Sequence, residues 1–340
     1  MPASQSPATT SVDATNAKGA FERRPAVFRS KITQEPTATY RAAAGRYVLY
    51  VSYACPWACR CLAVIAMKGL EDAIKVVVVK PVWERTRPGE DGDHHRGWIL
   101  EAGSDPVFGA STVREIYDAA TPEDAEPTQV FSVPVLLDTE TRTIVNNESS
   151  EIMRMFNSEF NQFAKNPTVD LYPSEARDMI DRMNHSIYNS INNGVYRCGF
   201  ARSQEAYDEA AKELFERLDV LENLLKTQRF LVAGTKAPTE ADIRLFVTLI
   251  RFDEVYVVYF KTNRNMIIDF PNLHGWLREL WQWDGGGLQK TVHMDHIKMH
   301  YYRSHPQLNV HAIIPVGPNA LSKLVDPAGR EHVPFGVALF

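Results

Sequence analysis

Apolar residues change their rhythm once along this chain. Up to about residue 166 they fall in short runs rich in β-branched and aromatic side chains, and beyond residue 173 they recur every third or fourth position. The first run, Arg46-Tyr-Val-Leu-Tyr-Val-Ser-Tyr53, predicts a strand. It leads directly into Pro56-Trp57-Ala58-Cys59-Arg60-Cys61 and on to Gly69. Proline suits a first helical position and glycine the residue just past the end, so a helix is predicted between them. Ile74-Lys-Val-Val-Val-Val-Lys80 reads as a second strand, which makes a βαβ unit with a parallel pair and a right-handed crossover. Residues 81 to 127 are polar and turn-rich, a long excursion anchored by Trp98. Ser132 to Asp138 and Ile144-Val145 form a hairpin around 139–143. Pro134 lies inside that strand pattern. A residue without an N–H fits only at an edge or special site, and Val133-Pro134 reads as a cis peptide exposing the Val133 backbone for a substrate peptide to pair with. Ile152, Met155 and Phe156 then follow helical spacing, with Asn147 as the expected cap and Glu148-Ser149 opening the helix.

Residues 166–173 read as a linker, after which strand patterns stop. Helical spacing marks 174–192, 204–227, 239–260 and 272–283, with Leu214, Leu218, Leu221 and Leu225 as one apolar stripe. Thr239 and Asp242 have the spacing of a capping box. The expected organisation is an extension over 1–45 (disordered for about its first twenty residues, then an ordered arm), an α/β domain over 46–165, an all-α domain over 172–315 and a tail over 316–340.

A chain of 340 residues with 44% apolar content can build two ordinary cores without disulfides. A net charge of −5 gives no reason to expect nucleic acid, and no apolar run approaches the ~20 residues of a membrane span. The first twenty residues contain no apolar block of a secretory signal. Four cysteines, three of them between 55 and 61, fit a reducing, cytoplasmic setting better than a secreted framework.

The candidate chemistry sits where the first strand meets the first helix. Cys55 falls at the N-cap, where unpaired N–H groups and the helix dipole favour a thiolate and are expected to lower its pKa from ~8.5 to between about 3.5 and 7.5. Ala58 occupies the place of the second cysteine of a would-be Cys-x-x-Cys, so a resolving thiol must come from a small molecule. Cys59, Cys61 and Cys198 read as small apolar packing. At the second helix start, free N–H groups and the Ser149 hydroxyl can hold a carboxylate while Glu148 holds an ammonium, the two ends of an α-amino acid. His94 and His95, adjacent in a loop without a third ligand, give no metal expectation.

Together, Tyr53-Ala-Cys-Pro-Trp-Ala58, Gly97-Trp98, Ile144-Val-Asn-Asn-Glu-Ser149, Asn193-Gly-Val-Tyr196-Arg-Cys-Gly-Phe200, Arg251-Phe-Asp-Glu-Val-Tyr256 and His300-Tyr-Tyr-Arg-Ser-His-Pro306 resemble the Xi-class glutathione transferases, the glutathionyl-hydroquinone reductases. The resemblance implies a thioredoxin-like domain packed on an all-helical domain, usually as a homodimer. It implies glutathione as co-substrate and glutathionylated hydroquinones as the small molecules acted on. Carried over by motif, Cys55 is the nucleophile, and Trp98, Val133, Pro134, Glu148 and Ser149 hold glutathione. Tyr196, Tyr256 and Tyr301 line the acceptor pocket and help to protonate the leaving carbon. Two departures bear on the site: Cys59 and Cys61 stand where histidine and threonine are common, and Gln129-Val130 replaces a common Gly-Arg, removing a cation from near the glutathione carboxylates. A thiol transferase or dehydroascorbate reductase would need the same Cys55 without the tyrosines, and a non-catalytic carrier of aromatic ligands would need neither.

Overall fold

The computed structural model describes residues 14–121, 128, 130–283 and 287–336. Its first half is a four-stranded sheet. β1 (Tyr47–Val51) is buried along its whole length, as its unbroken apolar run requires of a central strand, and α1 (Pro56–Lys68) follows it. Gly69 ends α1 with φ +66°; a Cβ there would also lie 2.7 Å from that of Lys165, so glycine is required twice over. β2 (Ile74–Val78) pairs parallel to β1.

Residues 81–121 of the predicted excursion are more structured than their polarity suggested, and 122–127 lie outside the described residues. Two short strands, β3 (Glu84–Arg85) and β4 (Arg96–Gly97), pair antiparallel, and α2 (Val113–Ala120) follows, with Thr112 capping it by accepting from the Glu115 N–H. α2 is too short for its periodicity to stand out from the surrounding loop. β5 (Val135–Asp138) lies antiparallel to β1 and carries β6 (Thr143–Asn146) on its other edge, giving the order β2-β1-β5-β6. The Val133–Pro134 peptide is cis, as expected.

α3 (Ser149–Ser158) begins one residue later than the Asn147 cap implied. Asn147 is committed elsewhere: its Oδ1 accepts the Phe28 N–H at 3.1 Å and its Nδ2 donates to the Tyr117 hydroxyl at 3.0 Å. Glu148 is the N-cap instead, accepting the Ser150 N–H at 2.9 Å.

The second half is helical: α4 (Arg177–Ile187), α5 (Gly194–Gly199), α6 (Gln204–Leu225), α7 (Glu240–Leu249), the π turn Phe252–Tyr256 leading into α8 (Val257–Tyr259), α9 (Pro271–Trp281) and α10 (Met294–Ser304). The predicted Asp242 box is present, with its carboxylate accepting the Thr239 N–H at 2.9 Å. α1 packs on α3 on one side and α7 on the other, so the helix carrying Cys55 is the shared wall of the two halves. Hydrogen bonds cross the seam: Ser304 Oγ accepts the Trp83 N–H (3.0 Å), and Arg251 donates to the Tyr53 carbonyl (3.0 Å).

The N-terminal arm is ordered from residue 14, earlier than expected, and residues 1–13 of the predicted disorder lie outside the described residues. The Gly19 carbonyl accepts the Arg202 N–H, Arg29 pairs with Glu151 at 2.6 Å, and the Ser30 N–H bonds Val145. The arm therefore ties the helical half to the sheet edge. Among the described residues no helix is long and apolar enough to cross a membrane.

Candidate active site

A cavity of about 590 Å³ opens at the C-terminal end of β1, between the two halves. Cys55, Trp98, Val133, Pro134, Glu148, Ser149, Tyr196 and Tyr301 all line it. Tyr256 does not. It is fully buried, with its hydroxyl 3.1 Å from that of Tyr301, which in turn is 2.6 Å from that of Tyr196. The three tyrosines thus form a single chain of hydroxyls with only Tyr196 and Tyr301 on the wall. Gly199 permits this packing, because a Cβ there would fall 2.0 Å from the Phe260 ring, which stacks on Tyr256 at 5.3 Å. Burial, the largest influence on each, raises all three phenols above the usual tyrosine range, so they are hydrogen-bond donors at neutral pH.

Cys55 occupies the predicted N-cap of α1, with φ −81° and ψ 113°. The predicted ionisation is not found in the substrate-free protein. Burial pushes the thiol up to about 11, outweighing the N–H groups of Ala58 and Trp57, which pull the other way. The sulfur donates to the Val133 carbonyl at 3.3 Å, a bond only a thiol can make. Alkylation of Cys55 by iodoacetamide is accordingly expected to accelerate about tenfold per pH unit between roughly pH 7 and 9, as the thiolate fraction climbs. Peptide mass spectrometry reads this directly; a rate already flat at pH 7 would contradict it.

Glu148 and Ser149 stand at the N-terminus of α3 and line the same cavity as Trp98. Arg60 of α1 backs them, with Nη1 3.5 Å from Ser149 Oγ and the guanidinium 4.3 Å over the Trp57 ring. Trp98 stacks on His300 at 4.6 Å, and His300 Nδ1 lies 3.0 Å from the Pro81 carbonyl. Burial lowers His300, and takes both His95 and His305 down to about 4, so the cavity imidazoles are neutral at pH 7.

Several lining residues escaped the sequence reading. Arg23 and Arg24 come from the arm and Arg96 from β4. Arg96 supplies a cation beside Trp98 although Val130 has none; its Nη2 donates to the Trp83 carbonyl at 2.8 Å and its buried Nε has no partner. Gln129 lies outside the described residues. No local pattern marks these arginines, since each reaches the cavity through tertiary placement alone. Cys59, read as packing, is buried but accepts from the Arg251 guanidinium at 2.9 Å. Among the described residues no cluster of His, Cys, Asp or Glu has the form of a metal site.

A thioredoxin-like sheet domain that presents a helix-capping sulfur, a cis-proline strand and a second helix N-terminus to an all-helical partner is the arrangement of the glutathione transferases, and the chain belongs to that family. The family profile of the glutathione S-transferase N-terminal domain matches residues 54–159, and that of the C-terminal domain matches 204–279. Within the family the chain falls in the Xi class. It is 45% identical to the glutathione S-transferase Xi of Phanerochaete chrysosporium, whose structure it matches with a TM-score of 0.80 over 90% of this chain and 95% of that one. The glutathionyl-hydroquinone reductase YqjG of Escherichia coli (strain K12) is 41% identical over 335 residues, 95% of this chain and 96% of the relative. The glutathione-bound structure of that protein matches with a TM-score of 0.77 at 42% identity, over 89% of this chain and 96% of that one.

Proposed function

We propose that this protein reduces glutathionyl-hydroquinones to hydroquinones with glutathione as reductant, through a Cys55–glutathione mixed disulfide. The observation that carries the reading is the convergence, in one cavity, of the Cys55 sulfur, the Val133–Pro134 edge, the Glu148–Ser149 helix start and the Tyr196–Tyr301 hydroxyl pair. The α3 N-terminus and Glu148 suit the γ-glutamyl carboxylate and ammonium. The Val133 backbone suits pairing with the tripeptide, and Arg96 and Trp98 suit its other end.

The Cys55 thiolate attacks the glutathione sulfur of the substrate. An S–S bond forms, the S–C bond to the ring breaks, and its electron pair passes to the ring carbon, which takes a proton from the tyrosine pair. A second glutathione thiolate then attacks the glutathione sulfur of the mixed disulfide, expelling Cys55 as thiolate and leaving oxidised glutathione. A thiol whose proton is hard to remove yields a more nucleophilic thiolate, so this site depends on generating the anion only as substrate binds. Glutathione that takes the Val133 carbonyl would remove the acceptor that now holds the Cys55 proton.

The tyrosines separate this reading from a plain thiol transferase. Tyr301→Phe, which deletes the hydroxyl joining Tyr196 to Tyr256, is expected to lower glutathionyl-hydroquinone turnover about a hundredfold. Reduction of 2-hydroxyethyl disulfide, which has no carbon leaving group, should change by less than about twofold. Unchanged quinol turnover in the Phe variants of all three tyrosines would refute the reductase reading. We further infer a homodimer in the cytoplasm; light scattering at the monomer mass would exclude the dimer.

A further inference from the structure

The arm carries a guanidinium to the reacting end of the cavity. Arg23 Nε donates to Asn193 Oδ1 at 2.9 Å, fixing one edge of the group. Its Cζ lies 4.8 Å over the Trp57 ring and 4.9 Å over the Tyr196 ring. Trp57 is two residues past Cys55, and Tyr196 is the outermost phenol of the tyrosine chain. Arg23 is thus held between the nucleophile's helix and the proton donors by two cation–π contacts and a hydrogen bond. Among the described residues no hydrogen bond reaches its Nη atoms, whereas the guanidinium of Arg96, on the Trp98 side, is tied to the Trp83 carbonyl.

We propose that Arg23 supplies the positive charge that favours the Cys55 thiolate, so that the N-terminal arm completes the active site. It is a positioning residue that acts through Cys55. The surroundings of the sulfur explain the need. Burial is the largest influence against ionisation of the Cys55 sulfur. Arg251 is engaged with Cys59, while Glu148 and Arg60 face Cys61. Opposing burial at Cys55 are the N–H groups of Ala58 and Trp57 and the charge of Arg23. The same charge favours the Tyr196 oxygen as it gives up a proton.

The place of Arg23 in a reaction rests on the reductase reading, but its effect on Cys55 is measurable without substrate. Iodoacetamide alkylation of Cys55, followed by peptide mass spectrometry at about pH 8, should be roughly tenfold slower in Arg23→Gln than in the parent protein. Arg23→Lys, which keeps the charge, should stay within about twofold of the parent. A merely structural contribution to the arm would not be rescued by lysine. If the glutamine variant fails to fold, Arg23→Met, with a stem that still covers Trp57, carries the same expectation. An Arg23→Gln rate within twofold of the parent, or a lysine variant as slow as the glutamine one, overturns the proposal. Failure of the parent to turn over a glutathionyl-hydroquinone would instead overturn the reductase reading and leave this titration unaffected.

Discussion

Replacing Cys55 by serine should abolish glutathionyl-hydroquinone turnover, by at least about a thousandfold, with the fold intact. Serine preserves the N-cap position of α1, and its hydroxyl can donate to the Val133 carbonyl as the thiol does. What is lost is the only atom at the cavity end of α1 that can form an S–S bond with glutathione. Intact-mass measurement after mixing with a glutathionyl-hydroquinone should find one added glutathione on the parent protein and none on the variant, while chromatography follows the released hydroquinone. The neighbouring thiols make this a sharp test. Cys59 and Cys61 are buried, and Cys59 Sγ is turned to the Tyr53 carbonyl at 3.2 Å and to Arg251. Glutathione appearing on residue 59 in the variant would mean that the helix carries a second working sulfur. Unchanged turnover would refute Cys55 as the nucleophile.

The largest expected loss of stability lies far from that sulfur. Asp242 is fully buried at the start of α7, where its carboxylate accepts the N–H of Thr239 (2.9 Å), the N–H of Leu231 (3.0 Å) and Nε1 of Trp276 (3.0 Å). Asp242→Ala would strand all three donors in a dry interior, and each stranded donor costs about 1 to 3 kcal/mol. A loss of about 3 to 5 kcal/mol is expected, read as a lower urea midpoint by circular dichroism. The effect should reach the active site, because α7 packs against the helix that carries Cys55. Burial raises the Asp242 carboxyl above the usual carboxylate range even against these bonds. Asp242→Asn, which retains one acceptor oxygen, should therefore lose markedly less stability than alanine. A variant with alanine at 242 that unfolds with the parent would refute this account of the α7 start.

These two residues were legible because their signals are local. A strand, a proline, a cysteine and a terminal glycine within 24 positions define β1, α1 and the nucleophile, and Thr-x-x-Asp defines a helix start. The hairpin, the cis-proline edge and the Glu148–Ser149 opening were legible for the same reason. Features decided by distant partners were not. Asn147 fits a cap by type, yet Phe28 and Tyr117 claim its side chain, and the cap passes to Glu148. Tyr256 belongs to the same motif set as Tyr301, but packing against Phe260 takes it behind the wall. The Cys55 pKa departs from the expectation because a helix N-terminus is visible in sequence, whereas the side chains of the arm and both halves that gather round the sulfur are not. Arg23 and Arg96 reach the cavity from an arm and a short strand that have no periodicity to betray them.

The tyrosine chain has a direction. Tyr196 and Tyr301 meet the cavity, and Tyr256 closes the far end with no exposure to solvent. On the proposed mechanism a proton handed outward to a ring carbon can be followed by reorientation of the inner hydroxyls, and Tyr256, fully buried, gives the row no contact with bulk solvent at its inner end. The relay is a cul-de-sac. On the proposed reductase mechanism such a row would be recharged through the mouth of the cavity, between the departure of one hydroquinone and the arrival of the next substrate.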